Sequence, residues 1–299
     1  MSGRPRIAVA LFGLPRCSAV TGPSIEQNLL RPLRQCGDVR VFYHLFLQDR
    51  IDNPRTAEAG ELDRSNYDLV QGFEGRLEPP PPVRGSKQHR LMVQKGDFNH
   101  DDGISLANWL LQLHSLAAVW ELAQAHDPDV VVFARPDLLY HDPMDRNVVR
   151  HALRKPRVCA LPNWQWYRGC NDRLAICGRA AAPVYAGRGT LLEEYCRQSA
   201  EPIQSEALLR YALVKAGVSV VAIPLQASRV RLGGQVRAEL FHKSEWWPHQ
   251  VLIYKSRYYG CRLLGLTPSP IPATGPPLPC RVLQHLWRAR LAHALIRRH

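Results

Sequence analysis

No stretch of this 299-residue chain approaches the ~20 apolar residues that a helix needs to cross a bilayer. Met1 to Arg6 is polar and basic. The apolar run after it, Ile7 to Leu14, is short and broken by Gly13 and Pro15, and no small-residue cleavage site follows. Neither a secretory leader nor a membrane span is expected, and a cytoplasmic location is. The eight cysteines include no Cys-x-x-Cys pair, so a structural zinc site has little support and free buried thiols are expected. Cys17 follows a basic residue in a loop, a setting that suits a reactive thiol, but it too reads better as an ordinary free thiol. Neither Gly-x-x-x-x-Gly-Lys-Ser/Thr nor Gly-x-Gly-x-x-Gly occurs, which excludes the P-loop and the dinucleotide fingerprint. There is no internal repeat, and no nucleic-acid motif accompanies the positive charge, so a nucleic-acid partner is not expected.

What is present suits one globular body. The hydrophobic fraction of 45% is ordinary, and the length supports a core without disulfide staples. The net charge of +13 is uneven, with twelve Lys or Arg against two Glu from Ser228 onward. A basic tail on a nearly balanced body points to an anionic contact: nucleic acid, membrane headgroups or a phosphorylated substrate.

Ile7 to Phe12 reads as a buried strand feeding the loop Gly13-Leu-Pro-Arg16. Ser24 with Gln27 three residues on reads as the capping box of a helix reaching about Gly37, and Val39 to Phe46 as the second strand. Leu47 to Lys95 reads as loops around a third strand near Tyr67 to Val70. Ser105 opens a helix carrying Leu106, Trp109, Leu113, Leu116 and Trp120 at helical spacing. His100-Asp-Asp102 before it reads as loop and cap rather than as a metal site. Asp129 to Phe133 and Val158 to Leu161 read as strands, Leu191 to Gln198 and Gln204 to Gly217 as helices, and Val218 to Ile223 as a late strand. The alternation predicts an α/β fold: a single mostly parallel, mixed sheet flanked by helices over residues 1–266. A Pro-rich linker, 267–280, then leads to a basic amphipathic helix, 281–299.

Four constellations have chemical content. Gly13 permits close backbone approach at a strand end, and Arg16 suits a phosphate; alone, the pair is also an ordinary turn with a surface arginine. Arg135-Pro-Asp137 follows the Val-rich strand, where a carboxylate faces the crevice and suits Mg²⁺ or Mn²⁺, or forms a simple Arg-Asp surface pair. Asn171 and Asp172 offer sugar hydrogen bonds and a general base, or an Asx turn. Glu206 is either a first-turn acid complementing the helix dipole or a catalytic carboxylate. Trp164, Trp166, Trp246 and Trp247 are sugar-stacking candidates or core aromatics.

In order along the chain, Gly13-Leu-Pro-Arg16, Val41-Phe-Tyr-His44, Asp129-Val-Val-Val-Phe-Ala-Arg-Pro-Asp137, Asn171-Asp-Arg-Leu-Ala-Ile176 and Ser205-Glu-Ala-Leu-Leu209 resemble bacterial and viral glycosyltransferase-like proteins of surface-polysaccharide clusters. The resemblance spans roughly Arg6 to Arg231. It implies a type A, nucleotide-sugar-binding fold and transfer of a sugar to a glycan or lipid-linked acceptor. Gly13, Arg16, Arg135 and Asp137 would face the donor. Asp172 and Glu206 would be catalytic, and Asn171, Trp164 and Trp166 would bind sugar or acceptor. The family's metal motif is Asp-x-Asp. Arg135 stands at its first position, so Asp137 alone matches as a ligand for Mn²⁺ or Mg²⁺, or Arg135 supplies the positive charge instead. The rivals are a sulfotransferase-like enzyme using Gly13 to Ser18 as an anion loop, and a basic module without catalysis that binds nucleic acid or membrane. The 281–299 helix, with Trp287 and Leu291 among five arginines, either lies on an anionic membrane face or packs back on the body.

Overall fold

The computed structural model describes residues 3–53, 56–97, 99–167, 169–199 and 203–241, and the backbone of 271–272. In chain order the elements are β1 (Arg6–Gly13), α1 (Ser18–Ser24), a π-helical stretch (Ile25–Leu30), α2 (Arg31–Arg34), β2 (Asp38–Phe46), β3 (Arg50–Asn53), β4 (Glu58–Glu61) and β5 (Glu74–Glu78). They continue with α3 (Lys87–Lys95), α4 (Ile104–Gln124), β6 (Val130–Ala134), β7 (Leu138–Tyr140), α5 (Arg146–Arg154), β8 (Val158–Pro162) and β9 (Leu174–Gly178). Last come α6 (Ala182–Ala186), α7 (Leu192–Gln198), α8 (Ser205–Lys215), β10 (Ser219–Ile223), β11 (Ala227–Arg229) and the two-residue β12 (Ile271–Pro272).

The main sheet runs β5-β2-β1-β6-β9-β8-β10, with β12 on the β10 edge. It is mostly parallel: β9 pairs antiparallel with both β6 and β8, and β12 antiparallel with β10. β1 lies inside the sheet between β2 and β6, and its Ile7 to Phe12 are all fully buried. Side chains alternate across a strand. Ile7, Val9 and Leu11 accordingly enter the core under Ile25, Leu29 and Val149, while Ala8, Ala10 and Phe12 enter the core under Leu116, Val119 and Leu209. A strand covered on both faces needs this continuous apolar run. Each large side chain so buried contributes about 1.5–3 kcal/mol.

The chain leaves β1 for β2 on one side, and β6 later joins β1 on the other. The strand order therefore reverses direction between β1 and β6. In open α/β sheets such a switch point leaves a crevice at the carboxyl ends of the two strands, and ligands bind there.

Some local expectations are corrected. The first helix begins at Ser18, not Ser24. Ser24 lies inside the helical run, where its hydroxyl donates to the Thr21 carbonyl and accepts from the Tyr140 N–H. Tyr67 to Val70 belongs to a 3₁₀ turn (Arg64–Val70) that Asp63 caps through the Ser65 N–H. The strand beside β2 is β5, an edge strand mostly exposed and so without an apolar signature. Asp101 accepts from the Ser105 N–H at the start of α4, in keeping with a capping role for that acidic loop. The six described cysteines are free, and four are buried. No helix among the described residues is long and apolar enough to cross a membrane. The basic helix 281–299, Trp246, Trp247 and all of the linker 267–280 but its Ile271–Pro272 strand lie outside the described residues.

Candidate active site

A cleft of about 1110 Å³ opens at the switch point, lined by the ends of β1 and β6, by α4, and by the start of α8. Its floor is Gly13, whose φ of +107° is a conformation that favours glycine. A Cβ there would meet nothing within 4 Å, so backbone conformation rather than space selects glycine. Its N–H donates to Ser115 Oγ on α4 at 2.8 Å.

Arg16 and Arg135 converge behind this floor on Asp137. Arg135 donates Nε to Oδ1 at 2.9 Å and Nη2 to Oδ2 at 2.6 Å, and Arg16 Nη1 donates to Oδ2 at 2.7 Å. Burial alone would raise the Asp137 carboxyl; the two guanidinium groups outweigh it and hold the group well below the usual carboxylate range. The β3–β4 hairpin adds a second carboxylate, Glu58, which pairs with Arg16 at 3.0 Å and with Arg231 at 2.9 Å. A third, Glu239, clasps Arg229 through Nε and Nη2 at 2.6 and 3.0 Å. Burial opposes its ionisation, but Arg229 and the Gln165 amide bring the carboxyl down to about 2. The carboxylates thus fix the arginines, and the arginines face the cleft.

Seven arginines line this cleft, against six carboxylates: Asp52, Asp172 and Glu206 in the lining, and Asp137, Glu58 and Glu239 paired to the arginines behind it. Arg50 and Arg237 have no acidic partner among the described residues. These two guanidinium groups suit an anion, and the planar guanidinium fork suits phosphate.

Asp172 reaches the site because β9 is reversed. Leu174 pairs with Ala134, so the start of β9 lies beside the end of β6. Asp172 Oδ2 accepts from Gln112 Nε2 at 2.9 Å and lies 3.8 Å from Arg188 Nη2. Glu206, half-buried in the first turn of α8, accepts from Ser205 Oγ at 3.0 Å. Burial first, and the nearby Asp172 carboxylate second, push Glu206 up to about 7 despite the opposing charge of Arg173. A carboxylate half-ionised near neutrality is matched to general-base work.

The structure therefore brings Gly13, Arg16, Arg135, Asp172 and Glu206 to the cleft lining, whereas Asp137 is fully buried behind the arginines and does not face the crevice. Asn171, Trp164 and Trp166 stand apart from the cleft lining. Asn171 is fully buried, donating to the Trp164 carbonyl at 2.8 Å and accepting from the Arg173 N–H at 3.0 Å, an Asx turn. Trp164 is core, with its N–H on the Leu225 carbonyl and its ring edge-on to Phe241 at 5.1 Å; Trp166 is buried with its N–H on Pro162. The aromatic residues in the cleft wall are instead Trp109, Tyr167, Phe12 and Phe46. Mn²⁺ or Mg²⁺ does not fit at Asp137. Both its oxygens accept from guanidinium groups, its side chain is 1% exposed, and Arg16 and Arg135 would repel a cation. The Gly13 to Ser18 loop is no open anion cradle either, because the Ser18 N–H and hydroxyl are both bonded to Asn66.

Sequence reasoning missed Arg50, Arg173, Arg229, Arg231, Arg237, Glu58 and Glu239. The signal for two of them was legible: Arg229 and Arg231 alternate in an extended segment and so share a face. The basic excess assigned to a tail begins inside the cleft.

No protein-family model matches this chain, and no curated protein matches it.

Proposed function

We propose that the cleft binds a nucleotide sugar and that the protein is a glycosyltransferase acting on a glycan or lipid-linked acceptor. The observation that carries the reading is the pairing, at one switch-point crevice, of an arginine-lined wall with a carboxylate poised near pH 7. A mostly parallel sheet with one internal reversed strand is compatible with the type A fold that the sequence resembles.

In this reading the diphosphate lies against Arg50 and Arg237, with Arg16, Arg135 and Arg231 beside them, and the sugar extends toward Glu206. The acceptor hydroxyl gives its proton to the Glu206 carboxylate as its oxygen attacks the anomeric carbon. The bond from that carbon to the phosphate oxygen breaks, and the diphosphate leaves with the electron pair. Preorganised arginines stabilise the charge that develops on it without a metal at Asp137. Asp172 keeps Glu206 basic by its negative charge.

A panel of nucleotide sugars incubated with the full chain, with and without Mn²⁺, tests this. Release of nucleoside diphosphate that needs no added metal is expected. Turnover of 3′-phosphoadenosine 5′-phosphosulfate and of no nucleotide sugar would replace the reading with sulfonyl transfer.

A further inference from the structure

Away from the arginine wall, β2, β5 and α4 bring two histidines and a glutamate to one point. His44 Nε2 lies 3.0 Å from Glu78 Oε1, and His114 Nε2 lies 2.6 Å from the same oxygen. The three ligand atoms fall within 4.8 Å of one another. His44 is fully buried, and Glu78 and His114 are partly open to solvent.

The proton inventory makes this contact unusual. The single hydrogen of the Ser115 hydroxyl goes to the His44 carbonyl, 2.7 Å away. Ser115 Oγ can therefore only accept from His44 Nδ1, 3.0 Å away, which places the ring hydrogen on Nδ1. In a neutral ring Nε2 then carries a lone pair, and it faces a carboxylate oxygen that also has only lone pairs. His44 Nε2 is accordingly a buried polar atom without a hydrogen-bond partner. Something positive is required between nitrogen and oxygen.

We propose that His44, Glu78 and His114 form a zinc site, with water as the fourth ligand. Two imidazole nitrogens and one carboxylate suit Zn²⁺, whereas Mg²⁺ and Ca²⁺ take all-oxygen sets. The Nδ1–H to Ser115 contact is the outer-sphere bond that orients a metal-bound histidine. An ion about 2.1 Å from each donor needs nitrogen–oxygen separations of about 3.4 Å. The His44 edge is within a few tenths of an ångström of that, and the His114 edge opens by rotation of an exposed side chain. The ion would tie the edge strand β5 to β2 and α4. Ser115 also receives the Gly13 N–H, so the site and the floor of the cleft share one hydroxyl.

The test uses the full chain stripped of metal by a chelator, then titrated with Zn²⁺ and Co²⁺. The site predicts one equivalent per chain, four- or five-coordinate Co²⁺ visible bands, and a rise in Tm with Zn²⁺. H114A and E78Q should weaken Zn²⁺ binding at least tenfold and lose the Co²⁺ bands, with unchanged far-UV circular dichroism. His114 is exposed, so H114A tests the site without emptying the core. Less than one equivalent in the wild type overturns the proposal. So does unchanged binding in H114A, which would place the metal on other histidines. The wild-type and H114A titrations stand whether or not sugar transfer is found.

Discussion

Glu206 and Asp137 are both acids in an arginine-rich cleft, and their surroundings set them to different tasks. Glu206 is pushed up to about 7 by burial and Asp172. A base must be ionised, so kcat/KM is expected to rise with pH through a midpoint near 7 and level off above it. E206Q should lower kcat by about 10²–10⁴-fold and abolish that rise. Stability should move the other way. A folded pKa above the unfolded value near 4.3 means that the protonated group stabilises the fold below about pH 4, and that this is lost as pH rises to about 7. Denaturant titrations across that window should show the slope in the wild type and not in E206Q. Asp137 is held ionised by two guanidiniums and is fully buried. D137A leaves both arginines without their shared counter-charge and should cost about 3–5 kcal/mol of stability, read from the denaturant midpoint. A variant as stable as wild type would show that the clamp on Arg16 and Arg135 has no energetic role.

At the scale of the element, the ends of β1 and β6 decide what the cleft is. G13A is expected to lose about 1–3 kcal/mol from backbone strain alone, since its Cβ would enter open space. Calorimetric unfolding checks this, and an unchanged Tm would mean that the floor relaxes. The apolar strands β1 and β6 and the helix α4 were legible in the sequence because a fully covered strand is a continuous apolar run and α4 is a long, strongly apolar segment with large side chains at helical spacing. Edge strand β5 left none, since Glu74 to Arg76 are exposed. Reversed β9 looked like any short apolar run, because antiparallel direction has no local signature. Gly13, Arg16, Arg135, Asp172 and Glu206 were readable from their places at element ends. Arg50, Arg173 and Glu58 were not, since their meaning comes from the hairpin and the reversed strand that carry them to the cleft. Trp164 and Asn171 misled for the opposite reason: their residue types suit sugars, but the turn before β9 folds them inward.

Across the whole molecule, charge is the organising feature. The +13 net charge is concentrated after Ser228, yet Arg229, Arg231 and Arg237 are cleft residues, so part of the apparent tail charge serves the site. For the arginines of 281–299, which lie outside the described residues, we propose contact with an anionic membrane face, to which each basic residue near the surface would add about 1 kcal/mol. Co-sedimentation with phosphatidylserine vesicles should fall when the chain ends at Cys280, and equal binding with and without those residues would remove that role. On the proposed function, the cleft itself is a diphosphate site made of arginines. Titration calorimetry of nucleoside diphosphates into the wild-type chain and into the paired substitution R50A and R237A tests it most directly, because those two arginines have no acidic partner among the described residues. The account predicts saturable one-to-one binding in metal-free buffer, weakened at least tenfold in the double variant. Binding that requires Mn²⁺, or that is unchanged by the loss of both arginines, would contradict it.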